Sequence, residues 1–342
     1  MTDARSPRVG PRFLLVRLGS LGDVIHAIPA TAALRAFSPD AQIDWLVDPH
    51  YAGVVRMVRS VDGTIPVDPR GPKGELLATI RALRARRYDA AFDVQGLIKS
   101  AVLTRLAGAR RTFGLPRQHL RERLAGLFYT DAPDLGGAVH VVHKALTMIT
   151  AVGVEPSPPA FPLDLPVSPP AAQVSTRHPG GFALLNPGGA WPNKQWPAER
   201  FGELARRIRA AHGLPSVVIW GPGEEARAAL AVAASQGAAE LSPPTRIADL
   251  FALSKAARVV VSGDTGPLHI AGAVGAPLVA LFGPTIAERN GPWVAADVVV
   301  ARTAQCVCLY QRYCRRGAPC IDEIGVDEVA AAVATRLGSS RG

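Results

Sequence analysis

Short apolar runs alternate with helical stretches along this chain, and several of them are joined by glycine-bearing turns, although no internal sequence repeat is visible. Residues 13–17, a turn with two glycines and the helical pattern at 23–37 form the first strand–turn–helix unit. Strands that alternate with helices in this way predict an α/β fold with a parallel, doubly wound sheet. The strands expected in the first half are 13–17, 42–47, 63–67 and 88–94, and the helices are 23–37, 51–59, 74–86 and 96–106.

A proline-rich segment separates two series of these units. Eight prolines fall between Pro156 and Pro179, and proline fixes its own φ angle and has no backbone N–H to donate. We therefore expect a linker at 156–180, a first Rossmann-like domain at 1–155, a second at 181–325 and a closing helix and tail at 326–342. The strands expected in the second half are 182–186, 216–220, 258–262 and 278–282, with helices at 197–211, from 224, from 267 and at 327–337.

Charge and hydropathy limit the possible partners. The 38 lysine and arginine residues against 28 acidic residues give a formal charge of +10. This excess suits an anionic substrate or an acidic membrane face, although a coding preference for arginine explains it equally well. No segment has the roughly 20 uninterrupted apolar residues that a membrane span needs. The N-terminus is polar up to Arg12, so no secretory signal is expected and a cytoplasmic protein is predicted.

Four cysteines, the only ones in the chain, fall within one stretch of fifteen residues. Cys306, Cys308, Cys314 and Cys320 are spaced C-x-C, then five residues, then five. This spacing matches no common zinc module and contains no C-x-x-C pair, and disulfides are disfavoured in a reducing cytoplasm. Structural thiols are the favoured interpretation, with a metal site and a redox pair as the alternatives.

The first strand leads into the turn Arg17-Leu-Gly-Ser-Leu-Gly-Asp23. Ligands bind at the carboxyl edge of a parallel sheet, where this turn is expected. A carboxylate there can take a proton from a substrate hydroxyl, but aspartate is also a preferred helix cap, and local pattern alone favours the cap for Asp23. The spacing is not that of the G-x-G-x-x-G dinucleotide fingerprint, which argues against a nicotinamide-dependent oxidoreductase.

The segment Ser262-Gly-Asp-Thr-Gly-Pro-Leu-His269 follows a predicted strand in the second half. Its proline suits the first turn of a helix. The free N–H groups of such a helix start favour a phosphate. Thr265 can add a hydroxyl donor, and His269 is either a further donor or a packed histidine.

Three more glycine-bearing turns follow strands of the second half. Asn186-Pro-Gly-Gly189 precedes Lys194, a compact positive charge that suits a diphosphate or is merely solvated. In Trp220-Gly-Pro-Gly-Glu-Glu225 the carboxylates bind ribose hydroxyls or cap a helix, and Phe282-Gly-Pro-Thr285 completes the set. Four such turns at one sheet edge predict a nucleotide-diphosphate site. The Walker, H-E-x-x-H and G-x-S-x-G motifs are missing from the sequence, which argues against P-loop ATPases and the common hydrolases.

A cluster of arginines follows the turn Gln95-Gly-Leu-Ile-Lys99 in the first half. Its members are Arg105, Arg110, Arg111, Arg117, Arg121 and Arg123. Arginine binds phosphate and carboxylate in a bidentate manner, so the cluster indicates an anionic ligand or a solvated basic face. The only interleaved aromatic residue is Phe113, and stacking on nucleic-acid bases is therefore not expected.

These motifs, in this order, resemble glycosyltransferase family 9, the ADP-heptose:lipopolysaccharide heptosyltransferases, with the heptosyltransferase I branch most similar. The match runs from residues 17–23, through Asp93-Val-Gln-Gly-Leu-Ile-Lys-Ser100, to 264–269 and 282–285. The resemblance implies a GT-B fold, in which two doubly wound Rossmann-like domains face a central cleft. It also implies that the first domain binds the acceptor and the second binds the nucleotide sugar.

Carried over to this sequence, the resemblance gives each site residue a role. Asp23 is then the base that deprotonates the acceptor hydroxyl. The implied donor-binding residues are Asn186, Gly188, Gly189, Lys194, Glu224, Glu225, Asp264, Thr265, Gly266, Pro267, Leu268 and His269. The implied acceptor-binding residues are Ser20, Gly22, Gln95, Lys99, Arg121 and Arg123.

The function implied is inverting transfer of heptose from ADP-L-glycero-D-manno-heptose to the Kdo-lipid A inner core of lipopolysaccharide. The ADP-sugar is a co-substrate, and no cofactor or metal is expected. Domain closure is expected to exclude water. The expected protein is a monomer that contacts the anionic inner-membrane surface transiently from its cytoplasmic face and binds no nucleic acid. The alternatives are a same-fold transferase with another donor or acceptor, and a non-catalytic nucleotide-sugar or anionic-glycan binding protein.

Overall fold

The computed structural model describes residues 10–339 and divides into two compact units, Met1–Asp164 and Leu165–Gly342. The division falls inside the segment that the sequence predicts to be a linker, 156–180. The parts of the predicted end segments at 1–9 and 340–342 lie outside the described residues. Each unit has its own parallel sheet and its own core.

The sheet of the first unit has five parallel strands in the order β3-β2-β1-β4-β5. The strands are β1 (Arg12–Val16), β2 (Gln42–Val47), β3 (Gly63–Pro66), β4 (Ala90–Asp93) and β5 (Arg111–Gly114). The helices are α1 (Leu21–Phe37), α2 (Ala52–Arg56), α3 (Lys73–Ala85), α4 (Ile98–Leu106) and α5 (Val141–Ile149). The four strands expected from the sequence are present, whereas β5 and α5 were not expected.

The sheet of the second unit has six parallel strands in the order β11-β10-β9-β6-β7-β8. The strands are β6 (Ala183–Asn186), β7 (Ser216–Val218), β8 (Ala239–Leu241), β9 (Val259–Gly263), β10 (Leu278–Phe282) and β11 (Val298–Ala301). The helices are α6 (Pro169–Arg177), α7 (Ala198–His212), α8 (Glu225–Ala234), α9 (Ile247–Ala256), α10 (Gly266–Ala273), α11 (Ala287–Asn290) and α12 (Val326–Gly338). The sequence did not predict α6, β8, α9, α11 or β11.

The second sheet is covered on both faces, which explains its continuous apolar strands. Leu184 and Val260 pack in one core, while their chain neighbours Leu185 and Val261 pack in the other. A parallel sheet buried on both faces needs apolar residues at every position rather than at alternate ones. This requirement explains why the strands read as uninterrupted Val, Leu and Ala runs.

Both sheets have the strand order of a doubly wound Rossmann-like fold, so the prediction of an α/β chain with two Rossmann-like domains is confirmed. In such a sheet, ligands bind where the strand order reverses, at the carboxyl ends of two neighbouring strands. That switch point lies between β1 and β4 in the first unit and between β6 and β9 in the second. The predicted turns at 17–23 and 262–269 follow β1 and β9 directly.

One local expectation was wrong and another was right only in part. Helix α6 lies inside the predicted linker, because Pro169 and Pro170 occupy its first turn, where no N–H has an intrahelical partner, and Ser168 Oγ accepts the Ala171 N–H. Asp23 caps α1, but from its third position: Ser20 is the N-cap residue, and the Asp23 carboxylate accepts the Ser20 N–H in a capping box. Among residues 10–339, no helix is both long and apolar enough to span a membrane.

Candidate active site

Arg17 links the two strands at the switch point of the first unit. It is the residue after β1, and its Nη1 donates to the backbone carbonyl of Val94, just after β4, at 2.7 Å. Its Nη2 lies 2.5 Å from Asp23 Oδ1. The Leu18 N–H donates to Gln95 Oε1 at 2.8 Å. Both turns predicted to bind the acceptor are therefore joined at this sheet edge.

Asp23 is the third residue of α1 and is held from two sides. Its Oδ2 accepts the backbone N–H and the hydroxyl of Ser20 at 3.1 and 3.0 Å, while Arg17 binds the other oxygen. Burial raises its pKa, but the Arg17 charge and these hydrogen bonds outweigh burial and hold the pKa below its usual value. The side chain keeps about one-third of its surface exposed. It is thus an ionised, oriented carboxylate that a substrate hydroxyl can reach, and it also supports the start of the helix.

The turn after β4 is supported by a residue that the sequence did not single out, Asp93. This buried carboxylate accepts the N–H groups of Gln95 and Gly96 at 2.8 and 3.1 Å. It also accepts the hydroxyls of Ser100 and Tyr129 at 2.8 and 2.7 Å. Two signals were present in the sequence: an acidic residue at the end of an apolar strand, and its place as the first residue of the matched motif 93–100, which gave it no role.

The predicted acceptor residues occupy different places in the first unit. Ser20 and Gln95 belong to the switch-point network described above, and Gly22 is buried in α1. Lys99 lines a cavity of about 130 Å³ together with Leu18, Asp48, Asp68, Pro69 and Arg70. Arg121 and Arg123 are exposed at the start of the 3₁₀-helix Arg123–Phe128.

In the second unit, Asp264 is the centre of a buried polar cluster. Lys194 Nζ donates to its Oδ2 at 2.6 Å and to its backbone carbonyl at 3.2 Å. Thr285 Oγ1 and Asn290 Nδ2 donate to the carboxylate at 2.6 and 2.7 Å, and His269 Nε2 lies 3.3 Å from Oδ1. Burial raises the pKa of Asp264, but His269 and then Lys194 hold it far below its usual value.

This arrangement assigns different tasks to the predicted donor residues. Because each oxygen of Asp264 already has two protein partners, we place Asp264 as the support of Lys194 rather than as a direct ligand. An ammonium group has three N–H donors. Asp264 takes up two of the Lys194 donors, which leaves one for an anionic ligand. The Lys194 ammonium also lies 4.7 Å from the centre of the Trp191 ring.

The segment 264–269 forms the start of α10, as its proline indicated. The helix begins at Gly266, one residue earlier than expected, with Pro267 in its first turn and Thr265 before it. Asn186 Nδ2 donates to Thr265 Oγ1 and Ser262 Oγ, both at 2.9 Å, which ties the turns after β6 and β9 together. Leu268 is buried in the core and His269 packs against Asp264, so the histidine has a structural contact within the cluster.

Glu224 and Glu225 separate in the structure. Glu224 accepts the N–H groups of Gly189 and Gly221 at 2.8 and 3.0 Å, and so joins two of the glycine-bearing turns. A side chain at Gly188 would clash with this carboxylate. Glu225 is exposed at the first position of α8.

A cavity of about 260 Å³ opens beside Glu224 at the same sheet edge. Asn186, Gly221 and Pro267 contribute to its wall, as the strand-end turns suggested. Trp220 and Pro222 belong to a turn that the sequence also indicated, but the part of the wall at 245–250 was not predicted. Its remaining lining residues are Ile219, Trp220, Pro222, Thr245, Arg246, Ile247 and Leu250. Four of them, at positions 245, 246, 247 and 250, belong to the segment before and within α9, an element that the sequence did not predict.

All four cysteines are free thiols in a segment that contacts the lysine turn. Cys308 Sγ and Cys314 Sγ lie 3.6 Å apart. Burial, with Cys306 beside it, raises the pKa of Cys320 to about 12. Asn193 Nδ2 donates to the backbone carbonyl of Gln311 at 2.6 Å, so this segment supports the turn that carries Lys194. Within the described range, no three His, Cys, Asp or Glu side chains are grouped to hold a metal ion.

Known heptosyltransferases are similar to this sequence over most of its length. The sequence is 32% identical to lipopolysaccharide heptosyltransferase 1 of Pseudomonas aeruginosa, over 89% of this chain and 87% of the relative. It is 31% identical to lipopolysaccharide heptosyltransferase 1 of Escherichia coli K12, over 80% and 88% of the two chains.

Among solved structures, the fold matches E. coli heptosyltransferase WaaC with ADP-2-deoxy-2-fluoro heptose, at a TM-score of 0.73 and 27% identity. The match covers 96% of this chain and 99% of that one. The sequence model of glycosyltransferase family 9 (heptosyltransferase) matches residues 76–317. Because this family model covers more than half of the chain and the relatives match most of it, the chain belongs to glycosyltransferase family 9, the heptosyltransferase family.

Proposed function

We propose that this enzyme transfers heptose from ADP-L-glycero-D-manno-heptose to the Kdo-lipid A inner core of lipopolysaccharide, with inversion at the anomeric carbon. The observation that carries the donor half of this proposal is Lys194, held by buried Asp264 at the start of α10. The names of the relatives, lipopolysaccharide heptosyltransferase 1, support heptose as the sugar and lipopolysaccharide as the acceptor.

The second unit binds the donor in this proposal. The apolar wall of the 260 Å³ cavity accommodates the base, and Glu224 lies where a carboxylate can accept ribose hydroxyls. In this proposal the remaining N–H of Lys194 and the backbone N–H of Gly266 face the diphosphate. Positive charge fixed in place before the reaction stabilises the negative charge that develops on the departing ADP.

The first unit supplies the base. The acceptor hydroxyl oxygen attacks the anomeric carbon, its proton passes to Asp23, and the bond from that carbon to the ADP oxygen breaks. Arg17 orients Asp23 and keeps it ionised at neutral pH. Since Lys194 and the helix start already supply positive charge to the leaving group, we propose that the reaction needs no metal, which undiminished turnover in EDTA would support.

The proposal also covers the oligomeric state and the location of the protein. We infer a monomer that works at the cytoplasmic face of the inner membrane and contacts its anionic surface. The lipid-linked acceptor and the excess of basic residues support this location.

The Asp23→Ala enzyme tests the proposal directly. A positioned base is worth about 10²–10⁴ in rate, so we expect kcat to fall by at least a hundredfold in a heptose-transfer assay, with the Kd for ADP unchanged. Asp23→Asn is the control, because its amide keeps one oxygen to accept the Ser20 N–H. Equal losses of thermal stability and activity in Asp23→Ala, with activity restored in Asp23→Asn, would assign Asp23 to helix support alone.

The donor is tested by thermal stabilisation with ADP, UDP, GDP and NAD in parallel. Stabilisation by ADP alone is the expected result. A shift with UDP or GDP instead would replace the donor while keeping the transferase, and a shift with NAD alone would contradict the proposal. Binding of ADP-heptose without any transfer would favour a nucleotide-sugar binding protein.

A further inference from the structure

Two leucines of the first unit are unusually exposed on the 3₁₀-helix Arg123–Phe128. Leu124 is 63% exposed and Leu127 is 79% exposed. A 3₁₀-helix has three residues per turn, so side chains three positions apart lie one above the other on one face. The two leucines therefore form a single apolar ridge.

The opposite side of the same helix packs against the protein and fixes the position of this ridge. Ala125 packs in a small core with Ala101 and Leu120, and Phe128 packs against that core. The Ile98 N–H, at the start of α4, donates to Glu122 Oε2 at 2.7 Å. Because these contacts fix the opposite side of the helix against the core, Leu124 and Leu127 are left on the solvent side.

Basic and apolar groups are combined around the ridge. Ile98 is 37% exposed, and Lys99 beside it is also exposed. Arg117, Arg121 and Arg123 are exposed on the chain just before the leucines. The single acidic residue within this stretch, Glu122, has its carboxylate engaged by Ile98. We call Ile98, Leu124, Leu127 and these four basic residues the basic–apolar face.

We propose that the basic–apolar face docks the enzyme on an anionic lipid bilayer. Phosphate groups of lipids attract the basic residues, and the aliphatic side chains enter the boundary between head groups and acyl chains. A polyanion such as nucleic acid would bind the cations but leave the leucines in water. An apolar protein partner would bury the leucines together with the charges of the arginines. A bilayer surface satisfies both kinds of group.

The role inferred for this face rests on the proposed function, in which the acceptor is linked to a lipid. Lys99 belongs both to the face and to the cavity that it lines with Leu18, Asp48 and Arg70. Gln95, on the same turn, contacts the segment that leads to Asp23. Docking through this face would therefore bring the head group of a membrane-bound acceptor to the turn that is expected to bind it.

Vesicle co-sedimentation of the full chain, without either substrate, tests the proposal. We expect binding to vesicles that contain phosphatidylglycerol, weaker binding at high salt and none to pure phosphatidylcholine. Each basic residue near an anionic surface contributes about 1 kcal/mol, so Arg117→Ser should lower the partition coefficient about fivefold. The double variant L124S/L127S should lower it about tenfold or more, because its insertion into the boundary region is lost.

Matched variants separate this face from other exposed apolar residues. Leu77→Ser on α3 and Leu230→Ser on α8 remove side chains that are each 53% exposed, and both should bind vesicles like the wild type. V307S/Y313S removes exposed apolar groups near arginines in the cysteine segment. Loss of vesicle binding in that variant, with L124S/L127S unaffected, would overturn the proposal.

An activity measurement distinguishes failure of docking from failure of the proposed function. L124S/L127S should transfer heptose normally to an acceptor dispersed in detergent and poorly to the same acceptor in vesicles. A wild-type enzyme that binds vesicles but transfers no heptose would contradict the function and leave the docking face standing. A wild-type enzyme that transfers heptose in detergent but binds no anionic vesicle would overturn the docking proposal alone.

Discussion

Asp93 in the first unit and Asp264 in the second lie at equivalent places in the two sheets, but the groups that bind their carboxylates differ. Each follows or ends the strand that borders the switch point, β4 or β9. Asp93 accepts only from neutral donors, which are two hydroxyls and two backbone N–H groups. Asp264 is paired with Lys194 and lies beside His269.

The difference in partners gives the two carboxyl groups opposite pKa shifts. At Asp93, burial outweighs the hydrogen bonds and raises the pKa above its usual value. At Asp264, burial also raises the pKa, but His269 and Lys194 outweigh it and lower the pKa well below that value. The same topological position therefore holds a turn together in one unit and supports the Lys194 ammonium, the proposed diphosphate ligand, in the other.

Of the changes that test this comparison, Asp264→Asn should lower the free energy of unfolding most. It leaves the Lys194 ammonium in a buried cluster without its counter-charge, and breaking a buried ion pair costs about 3–5 kcal/mol. We expect a loss of unfolding free energy in that range by urea denaturation, together with weaker ADP binding by calorimetry. A variant within about 1 kcal/mol of the wild type, with ADP affinity intact, would show that the ion pair supports neither the fold nor the donor site.

Asp93→Asn should have a smaller effect, because no charged partner loses its counter-ion. The amide keeps one oxygen for two of the four donors, and a disturbed buried hydrogen bond costs about 1–3 kcal/mol. We expect reduced stability with ADP affinity unchanged, measured by the same two methods. Tyr129→Phe, which removes one donor hydroxyl, is the milder control. Weakened ADP binding in Asp93→Asn would contradict the division of tasks between the two units.

The smallest expected effect is the pH dependence of stability, which should differ between the two carboxyl groups. Each unit of difference between the folded-state and unfolded-state pKa changes the free energy of unfolding by about 1.4 kcal/mol. The folded-state pKa of Asp264 is lowered, so its contribution is present above the unfolded pKa of about 3.9 and is lost as pH falls through the folded pKa. The folded-state pKa of Asp93 is raised, so its contribution is present below about pH 3.9 and is lost as pH rises through the folded pKa.

Urea unfolding of the wild type and both asparagine variants from pH 3 to pH 7 checks these signs. The stability difference between wild type and Asp264→Asn should shrink towards the acid end. The difference between wild type and Asp93→Asn should shrink towards neutral pH. The same direction for both variants would mean that their charge environments do not differ as the contacts indicate.

The strand-end turns were predictable because each combines an apolar run with residues of special backbone or charge properties. The segment 264–269 and Lys194 were identified on this basis, and the structure brings them together. The elements that were missed are of two kinds. Strand β8 is only three residues long, whereas α5 has apolar residues at helical spacing that the sequence analysis did not use. Helix α9 follows a proline-bearing segment, and the part of the cavity wall that it helps to build was missed with it.

The local sequence pattern was sufficient to predict the fold class and the edge of each sheet where the candidate site residues lie. Hydrophobic periodicity and glycine–proline chemistry act locally, so they can be identified within a few neighbouring residues. Which charges meet depends instead on the tertiary structure. It showed that Asp264 supports Lys194, 70 positions earlier in the chain, and that Asp93 binds Tyr129. It also showed that Glu224 reaches Gly189 while Glu225 faces solvent. These pairings depend on strand order and burial, which bring distant residues together and set their pKa values through desolvation and neighbouring charge.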